Sequence, residues 1–244
     1  SFSDGGLAAA PDQAIAHAHA LAAHADILDI GAESTRPGAQ TVPARDESAR
    51  LRPVLQGLSD LPCPISVDTR KSEVADMALS AGAALINDVS GLSYDPDMAA
   101  LLARRGAPVC LMHMPAWPET MQANPHYDNV LLDVYDALGQ QVAAAEAAGI
   151  SRKHIIVDPG IGFGKTLQHN LALFARLSLF LSLGCTVLVV ASRKRFIVTI
   201  GRAADPKARM PGSIAVALAA VAQGVHILRV HDAAETAQAF ALAA

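Results

Sequence analysis

Hydrophobic and polar positions alternate along the chain in a repeating order, in which short apolar runs separate longer stretches rich in Ala and Leu. The short runs predict seven strands, at residues 27–31, 65–69, 85–90, 109–114, 155–160, 187–192 and 227–231. The longer stretches predict helices, among them residues 72–81, 94–105, 129–148, 171–183 and 212–223. Apolar strands separated by helices are typical of a parallel sheet that helices cover on its outer face.

This order predicts an α/β protein in which residues 1–244 form a single domain, because no linker or change of composition interrupts it. A (β/α)8 TIM barrel has eight strands and about this length. Since seven strands are visible, we expect the first strand of such a barrel to lie before Ser1, outside the given chain. A doubly wound open sheet is the structural alternative, but no GxGxxG motif follows the first predicted strand.

Polar residues stand at the end of nearly every predicted strand. In a barrel these ends converge on one mouth, where the active sites of this fold lie. A polar residue at one strand end would mean little, but a succession of seven predicts a site. The residues concerned are Asp29, Asp68, Asn87, Asp88, His113, Asp158, Ser192, Arg193, Lys194, Arg229 and His231.

Composition and charge exclude several classes of partner. A net charge of -4 and a pI near 6.1 provide no basic surface of the kind that follows a nucleic acid backbone. The longest apolar stretch is too short to span a bilayer, so no membrane partner is expected. Three cysteines, Cys63, Cys110 and Cys185, without CxxC spacing favour free thiols in the cytoplasm.

The strongest candidates for ligand recognition are Asp68, Asn87 and Asp158, which sit in or just after apolar runs. Carboxylates and an amide suit a flat heterocycle with adjacent N–H donors, and an isolated buried carboxylate would be costly. The alternative is that each residue caps the following helix. Taken together, the three favour a functional site. Asp29 is a weaker candidate, because Asp-Ile-Gly is equally typical of a turn.

A glycine-rich segment, Asp158-Pro-Gly-Ile-Gly-Phe-Gly-Lys165, follows the fifth predicted strand. Its spacing is not that of a Walker A loop, although successive N–H groups there could form an anion nest. An ordinary flexible loop between a strand and a helix is the alternative interpretation. Among the histidines, His113 is expected to be a core residue, and His17, His19 and His24 to lie on an exposed helix.

Cationic side chains at three places suit an anionic substrate. Thr35 and Arg36 follow the first predicted strand, and the fork of an arginine matches phosphate or carboxylate. Lys194 and the pair Arg229 and His231 lie at the last two strand ends, where barrels frequently bind phosphate. The alternative is that these groups are solvated surface charges. It is less favoured, because the groups lie at the same end of the barrel.

Eight segments, in order and over essentially the whole chain, resemble the motifs of the dihydropteroate synthase family. They begin at Ser1, Asp29, Ser66, Ile86, Leu111, Asp158, Ser192 and Arg229. The resemblance implies a (β/α)8 barrel and a cytoplasmic homodimer, a transferase of folate biosynthesis. It would condense 6-hydroxymethyl-7,8-dihydropterin diphosphate with p-aminobenzoate, and release pyrophosphate with Mg2+.

The same resemblance implies roles for individual residues, with catalysis assigned to Asp158, Lys194 and Arg36. Asp68, Asn87, Asp158 and Lys194 would hydrogen-bond the pterin, and Met112 and Arg229 would lie against its faces. Thr35, Arg229 and His231 would hold the diphosphate. The p-aminobenzoate pocket, which sulfonamides occupy in this family, would be formed by Arg36, Pro37, Phe163, Lys194 and Arg195. The family's magnesium ligand would lie before Ser1.

Two positions depart from the family pattern, since Val190 and Val198 stand where glycine is usual. Val190 lies two residues before Ser192, so an inward side chain would crowd the pterin slot. One alternative function is a pterin-dependent methyltransferase, which the Ser-Arg-Lys and Arg-Val-His-Asp segments disfavour. Another is a pterin-binding protein without catalytic activity, which Val190 and the expected place of the family's first loop before Ser1 would support.

Overall fold

The structure, a computed structural model, describes residues 10–34, 40–115, 121, 124–190, 192–203, 205 and 207–243. Seven strands fall within these residues: β1 Leu28–Gly31, β2 Ile65–Asp68, β3 Leu85–Asp88, β4 Val109–Met112, β5 Ile155–Asp158, β6 Thr186–Val190 and β7 Ile227–Arg229. The helices are α1 Pro11–Ala22, α2 Ala44–Gly57, α3 Ser72–Ser80, α4 Met98–Arg105, α5 Val130–Ala147, α6 Leu167–Phe174, α7 Arg195–Gly201, α8 Met210–Val221 and α9 Ala233–Ala243.

The seven strands form a parallel sheet in which each strand pairs with its neighbour in sequence, in the order β1 to β7. The sheet curls, because Arg229 at the end of β7 reaches Asp29 in β1. The predicted α/β class and all seven predicted strands are therefore confirmed, with strands shorter by one or a few residues. A closed barrel with an eighth strand stays a prediction.

The two faces of the sheet carry different residues, because side chains alternate along a strand. Val67, Ile86, Val109, Val157 and Val187 belong to the main hydrophobic core that the helices cover. The residues next to them in sequence lie on the other, inner face, and register pairs Asp68 with Asn87 and Met112 with Asp158. The curled inner face is therefore where the predicted polar residues meet.

One predicted helix is wrong. Residues 171–183 are divided into the end of α6 at Phe174 and a 3-10 helix at Leu177–Leu183. Gln223, which follows α8, accepts a 2.9 Å hydrogen bond from the Leu177 amide and donates a 2.8 Å bond to the Phe174 carbonyl. This side chain takes the place of helical hydrogen bonds at the break, so a distant residue ends α6.

The other predicted helices are confirmed with shifted ends, as in α3, α5 and α8. The 94–105 helix begins only at Met98, since residues 94–97 lie outside it. His17 and His19 lie on α1 with exposed side chains, whereas His24 lies beyond its end. None of the helices within the described ranges has both the length and the hydropathy needed to cross a bilayer.

Candidate functional site

Asp68 and Asp158 end strands β2 and β5 on the inner face, as predicted, and Asn87 is the second-to-last residue of β3. The helix-cap alternative is wrong for all three. The residues that precede α3, α4 and α6 are instead Lys71, Asp97 and Thr166, and Thr166 forms a capping box with His169. None of the three polar side chains therefore caps one of these helices, and all three lie at the mouth of the curled sheet.

Asp29, the weak candidate, is a central residue of this mouth. Its Oδ2 atom accepts a 2.6 Å hydrogen bond from Arg229 Nε, and Asn87 Nδ2 lies 3.5 Å from the same oxygen. The turn interpretation of Asp29 is wrong, because the residue lies within β1. The other side of Arg229 faces Asp68, with 3.9 Å between Nη2 and Oδ2. Arg229 therefore lies between two carboxylates.

Burial changes the protonation of these groups. Removal from water, and then the charge of Asp29, raise the pKa of Asp68 to about 7, while Arg229 opposes that rise. Burial also raises the pKa of Asp158, although the Gly160 amide and Lys194 stabilise its carboxylate. The two nearby carboxylates raise the pKa of Arg229. Shifted pKa values of this kind are concentrated at functional sites.

Lys194 lies beside Phe163, with Nζ 4.3 Å from the centre of the ring. Burial lowers the pKa of Lys194 to about 8, while the charge of Asp158 favours its ammonium form. A cation against an aromatic face is attracted by the ring quadrupole. The predicted pterin reader Lys194 and the predicted wall residue Phe163 are therefore neighbours, with Asp158 close by.

The glycine-rich segment is a structured loop rather than an anion nest. Gly160 N donates to Asp158 Oδ1 at 2.8 Å, Gly162 N to Asn170 Oδ1 at 2.7 Å, and Phe163 N to Gly160 O at 3.1 Å. Gly160 has φ +67°, and a Cβ there would lie 2.1 Å from the His113 carbonyl oxygen, so only glycine fits. These bonds join the loop to β5 and α6, and the rigidity of the loop stays a prediction.

Lys165, which ends this segment, has a place that the sequence did not predict. It is 4% exposed, and its Nζ lies 3.0 Å from His113 Nδ1. His113 is a buried residue as predicted, and burial followed by the charge of Lys165 lowers its pKa to about 3. A lysine directly after glycines is expected to be exposed, so no signal in the sequence indicated this burial.

The cations predicted after β6 are divided between two places. The guanidinium of Arg193 binds the Asp232 carboxylate through Nε at 3.1 Å, and also through Nη2. Arg193 is therefore held by the segment after β7, whereas Lys194 faces Asp158 and Phe163. His231 lies next to Ser192, with 2.9 Å between Nδ1 and Oγ. The two strand ends are thus linked at the predicted phosphate region.

Thr35, Arg36 and Pro37 lie outside the described residues, as does the side chain of Arg195. The chain on either side of residues 35–39 is held by a buried ionic cluster. Lys71 Nζ binds Glu33 at 2.7 Å and Glu47 at 2.6 Å, and Arg70 donates to Glu33 and Thr41. Glu33 also accepts the Val42 amide at 2.8 Å.

Two apolar residues complete the inner face. Met112 is 2% exposed and pairs in register with Asp158. Val190 is 7% exposed and pairs in register with Arg229, so both lie on the same face. The inward orientation considered for Val190 is therefore correct, whereas Val198 lies in α7 rather than in a strand.

Mg2+ does not fit the described residues as a site made by protein alone. Within the part of the chain that the structure describes, no three His, Cys, Asp or Glu side chains stand together to hold a metal ion. Mg2+ at phosphate sites uses one or two carboxylates together with substrate phosphates. Asp29 and Asp68 at the mouth both face Arg229 instead.

Comparison with known proteins identifies close relatives. The family model described as Pterin binding enzyme matches residues 1–231. The dihydropteroate synthase of Escherichia coli (strain K12) is 44% identical over 244 residues, which cover 98% of this chain and 85% of that protein. A probable bifunctional folylpolyglutamate synthase/dihydropteroate synthase of Haloferax volcanii is 44% identical over 240 residues, 98% of this chain. This chain spans only 28% of the length of that protein.

Solved structures are also similar. The Yersinia pestis dihydropteroate synthase with a sulfonamide drug complex has a TM-score of 0.95 at 40% identity, covering 99% of this chain and 88% of that one. The Xanthomonas albilineans dihydropteroate synthase with 4-aminobenzoic acid has a TM-score of 0.90 at 42% identity, covering 95% and 83%. At these identities the likeness extends beyond the fold to the sequence.

Proposed function

This chain belongs to the pterin-binding enzyme family, and we propose that it is a dihydropteroate synthase. It joins 6-hydroxymethyl-7,8-dihydropterin diphosphate to p-aminobenzoate, and yields 7,8-dihydropteroate and pyrophosphate. Curated relatives at 43–46% identity, which match 98% of this chain over 81–86% of their own length, are named for that activity.

The observation that carries this proposal is the meeting of two carboxylates, an amide and two cations on one inner face. Asp68, Asn87 and Asp158 lie at or next to the ends of three different strands, and Lys194 and Arg229 reach the same mouth from β6 and β7. A flat heterocycle with N–H donors and ring acceptors matches this set. An anionic leaving group matches the cations on the β6 and β7 side.

Pterin recognition is assigned to Asp68, Asn87, Asp158 and Lys194, with Met112 and Arg229 against the two faces of the ring. The raised pKa of Asp68, about 7, suits a buried carboxyl group that Arg229 compensates only in part and to which a ligand can donate. Met112 offers a polarisable apolar surface beside Asp158. These roles give each of the six residues a partner on the substrate, and leave Asp29 to orient Arg229.

The reaction itself needs no protein nucleophile. The bond between the pterin methylene carbon and oxygen breaks, and its electron pair leaves with the diphosphate. The resulting positive charge is delocalised over the pterin ring and stabilised by Asp158. The amine nitrogen of p-aminobenzoate then forms the new bond to that carbon and releases a proton. Positioning and electrostatics therefore carry the rate.

The diphosphate is assigned to Thr35, Arg229 and His231, and the p-aminobenzoate pocket to Arg36, Pro37, Phe163, Lys194 and Arg195. The pairing of His231 with Ser192 and the contact of Lys194 with Phe163 support the described part of this assignment. Sulfonamides would occupy the same pocket. A parallel rise in the KM for p-aminobenzoate and the Ki of a sulfonamide in Phe163→Leu would test it.

Further properties belong to the same proposal: a single domain, an eight-stranded closed barrel, a cytoplasmic location and a homodimer. Free thiols at Cys63, Cys110 and Cys185 support the reducing compartment. Ile200 and Val221, which are 58% and 45% exposed, supply apolar surface for a second copy. Light scattering would decide the dimer by a mass twice the 25.3 kDa of one chain. A requirement for Mg2+ is proposed too, and no step of the reaction is assigned to the metal.

The test of the proposed function is pyrophosphate release with both substrates and Mg2+. Release that depends on both substrates, and that falls at least about a hundredfold in Lys194→Ala, would support the assignment. Lys153→Ala is the matched control, because Lys153 is exposed and lies at the other end of the strands, just before β5. No release from folded wild-type protein would overturn the proposal.

A further inference from the structure

The Lys165 ammonium lies at the centre of the loop formed by residues 160–164. Its Nζ atom donates to the carbonyl oxygens of Gly160 and Phe163, both at 2.9 Å, and lies 3.0 Å from His113 Nδ1. An ammonium has three donors and no acceptor, so Nδ1 accepts and the His113 proton lies on Nε2. All three donors are therefore used, and two of them bind the loop itself.

This arrangement is an unusual use of a lysine. The side chain is almost completely buried, and its three closest partners are neutral oxygen and nitrogen atoms rather than a carboxylate. Burial lowers its pKa to about 7, while Asp158 opposes the change and Lys194 adds to it. Burying a cation without a directly bound anion is costly. The cost is understandable if the ammonium fixes a backbone that function requires.

Other side chains complete the attachment of the loop. Asn170, which is 5% exposed, accepts the Gly162 amide at 2.7 Å and donates to the Thr166 carbonyl at 2.8 Å. The Tyr127 hydroxyl donates to the Gly164 carbonyl at 2.8 Å. The loop is therefore held at its start, middle and end by groups outside the strands.

The residue that this loop presents is Phe163, whose ring lies against Lys194. Gly162 also approaches Lys194 closely, since a Cβ on that glycine would lie 3.3 Å from the Lys194 Cδ atom. A displacement of the loop would thus change the position of Phe163, a wall of the p-aminobenzoate pocket, relative to Lys194 in the pterin site. The backbone of the loop sets the distance between the two binding regions.

We propose that Lys165 is a positioning residue, whose buried ammonium holds the 160–164 loop so that Phe163 forms a fixed wall for the aromatic amine. This inference rests on the proposed function, and it assigns to Lys165 no contact with either substrate. Asn170 and Tyr127 act in the same way at the middle and the end of the loop. The expected consequence is an effect on binding of the amine that exceeds the effect on binding of the pterin.

The test replaces Lys165 by Met, which keeps the length of the side chain and removes its donors. Lys165→Met is expected to raise the KM for p-aminobenzoate about tenfold and to leave the KM for the dihydropterin diphosphate within about twofold. A purely structural lysine would instead reduce the amount of active enzyme, with both KM values unchanged. Equal changes in both KM values, or none, would overturn the inference.

Tyr127→Phe is the second variant, since it removes only the hydroxyl that binds Gly164 and is expected to fold. It should raise the KM for p-aminobenzoate about threefold. If Lys165→Met does not fold, Tyr127→Phe alone tests the inference. Lys153→Met is the control, because it makes the same chemical change at an exposed lysine. No change in the KM for p-aminobenzoate in Tyr127→Phe would count against the inference.

Amide hydrogen exchange in peptides that cover residues 158–170 separates this inference from the proposed function. Faster exchange in Lys165→Met, with unchanged exchange elsewhere, supports the role of the ammonium even in a protein without turnover. Identical exchange in Lys165→Met and wild type would refute the role of the ammonium, even if the wild type releases pyrophosphate. Silence of the wild type in the pyrophosphate assay refutes only the proposed function.

Discussion

Arg229 and Asp29 are 200 residues apart in sequence, yet Arg229 Nε donates a 2.6 Å hydrogen bond to Asp29 Oδ2. The pair joins the end of β7 to β1, and so connects the first and last described strands across the mouth of the sheet. Arg229 also faces Asp68. Since the guanidinium is 40% exposed, it remains open to a ligand on its other side.

Asp29→Asn should lower kcat/KM for the dihydropterin diphosphate about tenfold, because Arg229 loses the carboxylate that orients it. The same change removes the negative charge that raises the pKa of Asp68, so that pKa should fall. Steady-state kinetics and NMR titration of Asp68 measure the two effects. Asp60→Asn is the control, because Asp60 is 77% exposed on the surface. Unchanged kinetics would mean that Arg229 is oriented without Asp29.

Val190→Gly should increase kcat or lower the KM for the pterin substrate, because the valine lies on the inner face beside Arg229. The gain would show that its isopropyl group narrows the pterin slot. Val189→Gly is the matched control in the same strand, since Val189 packs in the outer core and is fully buried. That variant should lose roughly 2–4 kcal/mol of stability without a gain in activity. Equal kinetics of Val190→Gly and wild type would contradict a narrowed slot.

The stability contributed at Asp68 should decrease as the pH rises. Its pKa is about 7 in the folded state and 3.8 in the reference state, so the folded protein holds a proton that the unfolded chain has released between these values. The favourable contribution is therefore complete below the lower value and is lost as the pH rises through about 7. Asp68→Asn should become more stable relative to wild type between about pH 5 and about pH 8. Urea unfolding of both proteins at both pH values measures this change. If the difference in unfolding free energy between Asp68→Asn and wild type is the same at both pH values, the prediction is wrong.

Glu47→Gln should destabilise the protein by about 3 kcal/mol, because it leaves Lys71 with one fewer buried carboxylate. Glu47 is fully buried, and its Oε2 atom lies 2.6 Å from Lys71 Nζ. Glu73→Gln, on an exposed position of α3, should change stability by less than about 0.5 kcal/mol. Denaturant unfolding of both variants checks the prediction. A small effect in both would show that Glu33 alone compensates Lys71.

Local patterns in the sequence determined the strands and the face on which the site lies. Side chains alternate with a period of two in any strand, so Val67 in the core places Asp68 on the other face whatever its neighbours are. Parallel strands connected by helices bring their carboxyl ends to one edge. These two rules were enough to predict that one group of residues lies together: Asp68, Asn87, Asp158, Lys194 and Arg229.

Only the tertiary structure decided which of these groups touch one another. Asp29 was equally typical of a turn until β7 brought Arg229 to it, and no local pattern indicated that His113 and two loop carbonyls surround Lys165. Gln223 ended α6 from a distance in the same way. Such pairings depend on the curl of the sheet and on packing between elements far apart in sequence. A local pattern carries no information about the partner, whereas it does fix the direction in which a side chain points.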